Sequence, residues 1–169
     1  LKFVWAIPIN SRLLDALTNA LPKTVAMPIF YVYVGALTGI FEVGIVWLVM
    51  RYTRLGKVDW KHALSFGIGF GSIEALLLGL LSVIGMLTLM LMPSVVPLAS
   101  LQAAARGNDL FYSLAPVVER LGIIFVHILS NVLIFYAVAK RRPGWFWLAF
   151  AYKTAIDTVA AFAQFWGLE

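Results

Sequence analysis

Long apolar runs alternate along the chain with short basic or polar breaks. Residues 25–50, 62–92, 113–139 and 145–168 are dominated by Leu, Ile, Val, Phe, Ala and Gly. At about 1.5 Å per residue even the last run reaches roughly 36 Å, beyond the roughly 30 Å hydrocarbon core of a bilayer. The pattern predicts an all-α fold, a polytopic membrane helix bundle with at least four transmembrane helices. Pro22 and Pro28 mark the start of the first run, and Pro93 and Pro97 close the second. Pro116 stands near the start of the third, and Lys140-Arg141-Arg142-Pro143-Gly144 makes an abrupt turn into the fourth. Residues 93–111 read as a polar loop.

The first residues are different in kind. Leu13, Leu14, Leu17 and Leu21 recur at helical spacing among Asn10, Arg12 and Asp15. Residues 1–24 are therefore expected to be an interfacial amphipathic segment or the remnant of an upstream helix, and residues 25–169 a transmembrane helical domain. The chain opens on Leu1 and shows no signal-peptide pattern, so one or more helices are expected upstream and the span count is a minimum.

Composition agrees with the pattern. The 169 residues are 62% hydrophobic and 12% charged, with mean hydropathy +0.93, against roughly 45–50% apolar content in soluble domains. A net charge of +5 could point to nucleic acid, but the basic residues cluster in breaks between apolar runs, where topology explains them, and no nucleic-acid motif is present. The basic loops 51–61 and 140–142 fall on one side under alternate crossing, and 93–111 on the other. This places both basic loops in the cytoplasm. Trp47 and Trp60 bracket one cytoplasmic turn, and Trp145, Trp147 and Trp166 are placed at interfaces. There is no cysteine, so any metal would need His and carboxylate ligands.

Acidic and basic side chains interrupt the apolar runs, and each one set deep in a run needs a partner or a role, because a charge at the bilayer centre costs at least about 2.5 kcal/mol. Counted from the basic boundaries at about 1.5 Å per residue, Glu74, His127 and Asp157 all lie roughly 20 Å deep. Glu42 and Lys153 share a shallower layer at roughly 13 Å. Glu74, His127 and Asp157 are the candidate metal ligands, for zinc, with Glu42 and Glu74 as the candidate catalytic carboxylates. The same residues read equally as a hydrogen-bonded network that holds helices in register, since polar groups across membrane helices do this commonly. No HExxH or comparable spacing singles out a metal.

Lys153 stands one turn before Asp157 and either pairs with it, weakening a metal ligand, or snorkels to the interface. Asn131 follows His127 at i+4 as an orienter or packing amide. His62 and the pair Glu119-Arg120 read as solvated boundary residues. Gly67, Gly71 and Ala75 form a small-residue ridge beside Glu74, a packing surface. The glycines around Glu74 also suggest a transporter, which would need an aqueous path to that carboxylate.

Three stretches resemble a known family. Leu37-Thr38-Gly39-Ile40-Phe41-Glu42-Val43-Gly44, then Phe66-Gly67-Ile68-Gly69-Phe70-Gly71-Ser72-Ile73-Glu74-Ala75, then Glu119-Arg120 followed by Phe125-Val126-His127-Ile128-Leu129-Ser130, resemble in order and spacing the motifs of the YhfC family of intramembrane metalloproteases. That family is distantly similar to the CAAX-type and PrsW proteases and to the scaffold subunit that accompanies presenilin. The resemblance implies a bacterial or archaeal plasma membrane and a Glu-His site that opens toward the cytoplasmic half. The partners implied are membrane lipid and either a membrane-embedded peptide substrate or other membrane subunits.

It also implies Glu42 as the first glutamate of a Glu-Glu motif, Glu74 and His127 as site residues, and Asp157 as the acidic end of a His-x-x-x-Asp motif. Val43, Phe70 and Lys153 depart from the pattern where a glutamate and two histidines are expected. The departures favour a catalytically silent relative that serves as a scaffold or partner subunit; the shared depth of Glu74, His127 and Asp157 favours a working metal-dependent peptidase.

Overall fold

A computed structural model describes residues 2–57, 59–95 and 110–166. Among them the chain forms five main helices: α1 Lys2–Ala20, α2 Lys23–Tyr52, α3 Trp60–Leu91, α4 Leu110–Ala139 and α5 Pro143–Trp166. No strand occurs among the described residues. The loop expected at 93–111 lies mostly outside the described residues, as does the side chain of Trp166.

Three stretches are long and apolar enough to cross a membrane: Lys23–Tyr52, Trp60–Leu91 and Val117–Ala139. The fourth expected crossing is only partly met. Helix α5 has 24 residues, which is length enough, but it is not among the three that are also sufficiently apolar. Lys153, Asp157, Gln164 and the interfacial Trp145 and Trp147 dilute its aliphatic content.

The described chain divides into two compact units, residues 1–63 with 129–169, and residues 64–128. In the first unit α2 packs chiefly on α5. Glycines permit this approach: a Cβ at Gly35 would collide with Thr158 Oγ1 and the Thr154 carbonyl, and one at Gly39 would fall 2.6 Å from Thr154 Oγ1. Lipid is as apolar as leucine, so close backbone contact of this kind supplies the dispersion that holds membrane helices together. Phe30, Tyr31 and Ala161 form a buried cluster, against which Leu13, Leu14 and Leu17 of α1 pack. Three of the four leucines read from the sequence therefore share one partly buried face of α1, while Leu21 lies beyond the helix and is exposed.

Helix α2 is not uniform. From Gly39 to Gly44 its hydrogen bonding widens into a π-helical turn, with Glu42 inside it and Val43 buried. Such turns hold about one residue more than an α turn and are often found at functional sites.

Two helix ends explain the turns. Asp59 caps α3: its Oδ1 accepts the backbone N–H of His62 at 3.2 Å and the His62 Nδ1–H at 2.7 Å. These hydrogen bonds from His62 hold the Asp59 carboxyl below the usual carboxylate range. At the end of α4, the Arg142 N–H donates to Ala137 O at 3.0 Å and the Arg141 N–H to Val138 O at 3.3 Å. That double closure needs a left-handed residue, which is usually glycine. Here it is Arg141, with φ 52°, at a cost of about 1–2 kcal/mol for a residue carrying a Cβ.

In the unit of residues 64–128, α3 meets α4 at Gly71. A Cβ there would lie 2.9 Å from Ile124 Cα and 3.2 Å from His127 Cβ. The ridge beside Glu74 is therefore a contact surface at Gly71. Another face of α3 is bare: Ile73, Leu76, Leu77 and Leu80 are all more than half exposed. Only lipid or another apolar surface is a compatible surrounding for so continuous an apolar face.

Candidate functional site

Gly71 sets the distance between α3 and α4, and that close approach makes the first polar pair. Glu74 lies one turn after Gly71 on α3, and His127 lies on the facing side of α4. His127 Nε2 and Glu74 Oε2 are 2.5 Å apart, with the imidazole 1% and the carboxylate side chain 24% exposed. The two groups that the depth count put in one layer are therefore in direct contact. Phe70, one turn before Glu74, lays its ring 4.9 Å from the His127 ring at 37°. Where the family pattern expects a second imidazole, an aromatic face covers the one that remains.

The second pair lies in the other unit. Lys153 of α5 reaches Glu42 in the π turn of α2, with Nζ 3.0 Å from Oε2. Lys153 is 3% exposed, so it does not snorkel to the interface; it turns inward. The sequence placed Lys153 and Glu42 at one depth but weighed only Asp157 as the lysine's partner. Asp157 itself is half-buried on α5, one turn beyond Lys153.

The remaining polar residues fall near where the sequence placed them. Ser130 and Asn131 are buried on α4 at 2% each. Glu119 and Arg120 face each other at 3.7 Å, with the Glu119 side chain 59% exposed. His62 is an exposed boundary residue bound to Asp59.

Sequence reasoning missed two features outright. The π turn had one signal, a glycine at each end of the run Gly39–Gly44. The left-handed Arg141 had a second, a helix stop in which the basic run reaches Pro143 before any glycine.

With this geometry in view, comparison with known proteins is decisive at the level of family. A model of the YhfC intramembrane metalloprotease family matches residues 8–168. The chain belongs to that family. A curated relative, the uncharacterized membrane protein YhfC of Bacillus subtilis (strain 168), is 27% identical over 157 residues, which is 83% of this chain and 57% of the relative. The chain thus spans a little over half the length of that YhfC protein. No solved structure matches.

Membership and the apolar helices together make this an integral membrane protein in contact with lipid. A YhfC metalloprotease implies a metal, and within residues 64–128 one imidazole nitrogen and one carboxylate oxygen converge, both of them donor types that divalent metals accept. Liganding atoms sit about 2.0–2.2 Å from zinc, so two of them are roughly 3.3 Å apart in a tetrahedron; the 2.5 Å pair needs to open by less than an ångström to admit an ion.

Proposed function

We propose that the chain is a metal-dependent peptidase acting inside the membrane, with Glu74 and His127 as zinc ligands. The observation that carries this reading is the contact at 2.5 Å between an almost fully buried imidazole and a carboxylate, set in two helices long and apolar enough to cross a membrane. Zinc, when bound, brings an attached water to a pKa of about 7 and polarises a carbonyl. Glu74 and His127 would hold the ion, and Phe70 keeps water from one face of the imidazole. The substrate is a membrane-embedded peptide. The basic loops 51–61 and 140–142 lie in the cytoplasm, and α5 is the fourth crossing. Because these 169 residues include no cysteine, a single cysteine placed at Arg54 and labelled from one side tests that orientation.

A second reading, a non-catalytic scaffold or partner subunit, is favoured by a specific pair of contacts. Lys153 occupies Glu42, and Phe70 stands against His127 where another ligand would serve. Metal analysis of the purified protein separates the two readings. The peptidase reading expects about one zinc per chain, lost in His127→Ala, together with cleavage of a transmembrane reporter peptide. Protein that stays metal-free after zinc addition and leaves the reporter intact rejects it in favour of the scaffold.

A further inference from the structure

The basic end of the unit formed by residues 1–63 and 129–169 contains a cavity that the peptidase reading does not use. Its volume is about 690 Å³, and its lining includes Trp47, Arg51 and Thr53 near the end of α2, and Ala137, Arg141 and Pro143 around the turn that follows α4. Cavities that take small molecules run from about 300 to 1,000 Å³, so this one is larger than a few waters require. Among the described residues no carboxylate lines it.

The charges in it are held in a particular way. The Arg51 guanidinium lies 4.9 Å from the centre of the Trp47 ring and 6.0 Å from that of Tyr52. Stacking of this kind fixes the plane of the guanidinium and leaves its N–H edge free to fork an oxyanion. Among the described residues neither Arg51 nor Arg141 is paired with a carboxylate. Arg141 occupies the left-handed position that a glycine would take more easily. A residue kept where its backbone is strained points to a use for its side chain.

A simpler role must be weighed against this one. The ends of α2 and α4 present carbonyls worth roughly half a negative charge each, and cations nearby offset them. Any lysine on the preceding turn would do that. It would require neither a lined cavity, nor an arginine stacked on tryptophan, nor a strained backbone.

We propose that this cavity binds a phosphate ester, with Arg51 and Arg141 gripping its oxygens, and that the ester is the headgroup of an anionic phospholipid. Basic pockets between membrane helices at headgroup level suit such lipids, and Trp47 and Trp145 mark that level here. The proposal does not depend on any peptidase activity.

The test is native mass spectrometry of the full chain in neutral detergent, titrated with phosphatidylglycerol, with phosphatidylcholine, and with phosphatidylglycerol in the presence of millimolar glycerol 1-phosphate. One tightly bound phosphatidylglycerol is expected, weakened at least tenfold in Arg51→Gln and in Arg141→Gly, and by less than threefold in Arg54→Gln, which removes the same charge outside the cavity. Arg141→Gly is expected to unfold at the same or a higher temperature, because glycine relieves the left-handed strain; its loss of lipid then cannot come from misfolding. Failure of glycerol 1-phosphate to compete assigns the site to lipid, and competition assigns it to a soluble ester, overturning the lipid assignment alone. Equal losses in all three variants, or no loss in Arg141→Gly, would overturn the site altogether.

Discussion

Glu42 and Glu74 are both carboxylates set inside apolar helices, yet one is met by an ammonium and the other by an imidazole. The difference is chemical before it is structural. A lysine ammonium has three donors and no acceptor, so beside Glu42 it fills the place of a cation. An imidazole has a second ring nitrogen, so it can exchange its hydrogen bond to Glu74 for a bond to a metal once the shared proton leaves Nε2 for Nδ1 or for solvent. Within its own unit, each glutamate is therefore either locked or exchangeable, and the partner decides which.

The sharpest way to break this comparison is to take the ammonium away. Lys153→Met takes the ammonium from a Glu42 side chain that is 11% exposed, and removing one member of a buried pair costs about 3–5 kcal/mol. Thermal unfolding in detergent should show that loss, and the double variant Lys153→Met with Glu42→Gln should recover most of it. A single variant as stable as the parent would mean that Glu42 is not held by Lys153.

At the exchangeable pair the expected stability change is smaller and the chemical change larger. Glu74→Gln still offers His127 an amide oxygen, so unfolding should shift by about 1 kcal/mol, while bound zinc measured by plasma emission falls from about one per chain to near zero. Retention of stoichiometric zinc would remove Glu74 from the ligand set.

The glycines beside the two pairs sharpen the contrast further. Gly71→Ala drives a methyl against the Ile124 backbone, which cannot step aside, and should cost about 1–2 kcal/mol. Gly39→Ala should cost less, because its nearest neighbours, the Thr154 hydroxyl and the edge of the Phe150 ring, can rotate away. Phe70→His should leave stability within about 1 kcal/mol and tighten zinc binding in a competition titration, since it returns an imidazole beside His127. Zinc affinity equal to the parent's would show that Phe70 does not occupy a ligand position.

The smallest effect belongs to the exposed pair. The carboxyl of Asp59 is held below its usual range by His62, so its contribution is present above the ordinary aspartate value and is lost as pH falls through the lowered one. Asp59→Asn keeps a capping oxygen and should flatten that shallow acid slope in unfolding temperature, with no change near neutrality.

Much of this was legible in the residues. The apolar runs marked α2, α3 and α4 because lipid demands uninterrupted helices. The depth count groups Glu74 with His127 and Asp157, and Glu42 with Lys153, because a helix rises by a constant step; the contacts observed are Glu74 with His127 and Lys153 with Glu42. It could not choose partners, since depth fixes height and not azimuth; so for Lys153 the sequence offered Asp157, its neighbour on the same helix, or the interface, and not Glu42. The fourth crossing was harder because α5 mixes tryptophans with Lys153 and Asp157, and composition then falls between a span and a packed helix. The π turn at Gly39–Gly44 was out of reach of any count that assumes one constant rise.

That widened turn also sets how this stretch tolerates changes in length. Shortened by one residue at Ile40, the rod from Lys23 to Tyr52 could close into unbroken α-helix while the parts before and after the cut keep their relative rotation, because the residue removed is the one that the wide turn absorbs. The face that carries Gly35 could then stay against α5 without turning the residues that follow. The same single-codon deletion in the regular turns on either side would swing the two parts by about 100° against each other and break that contact.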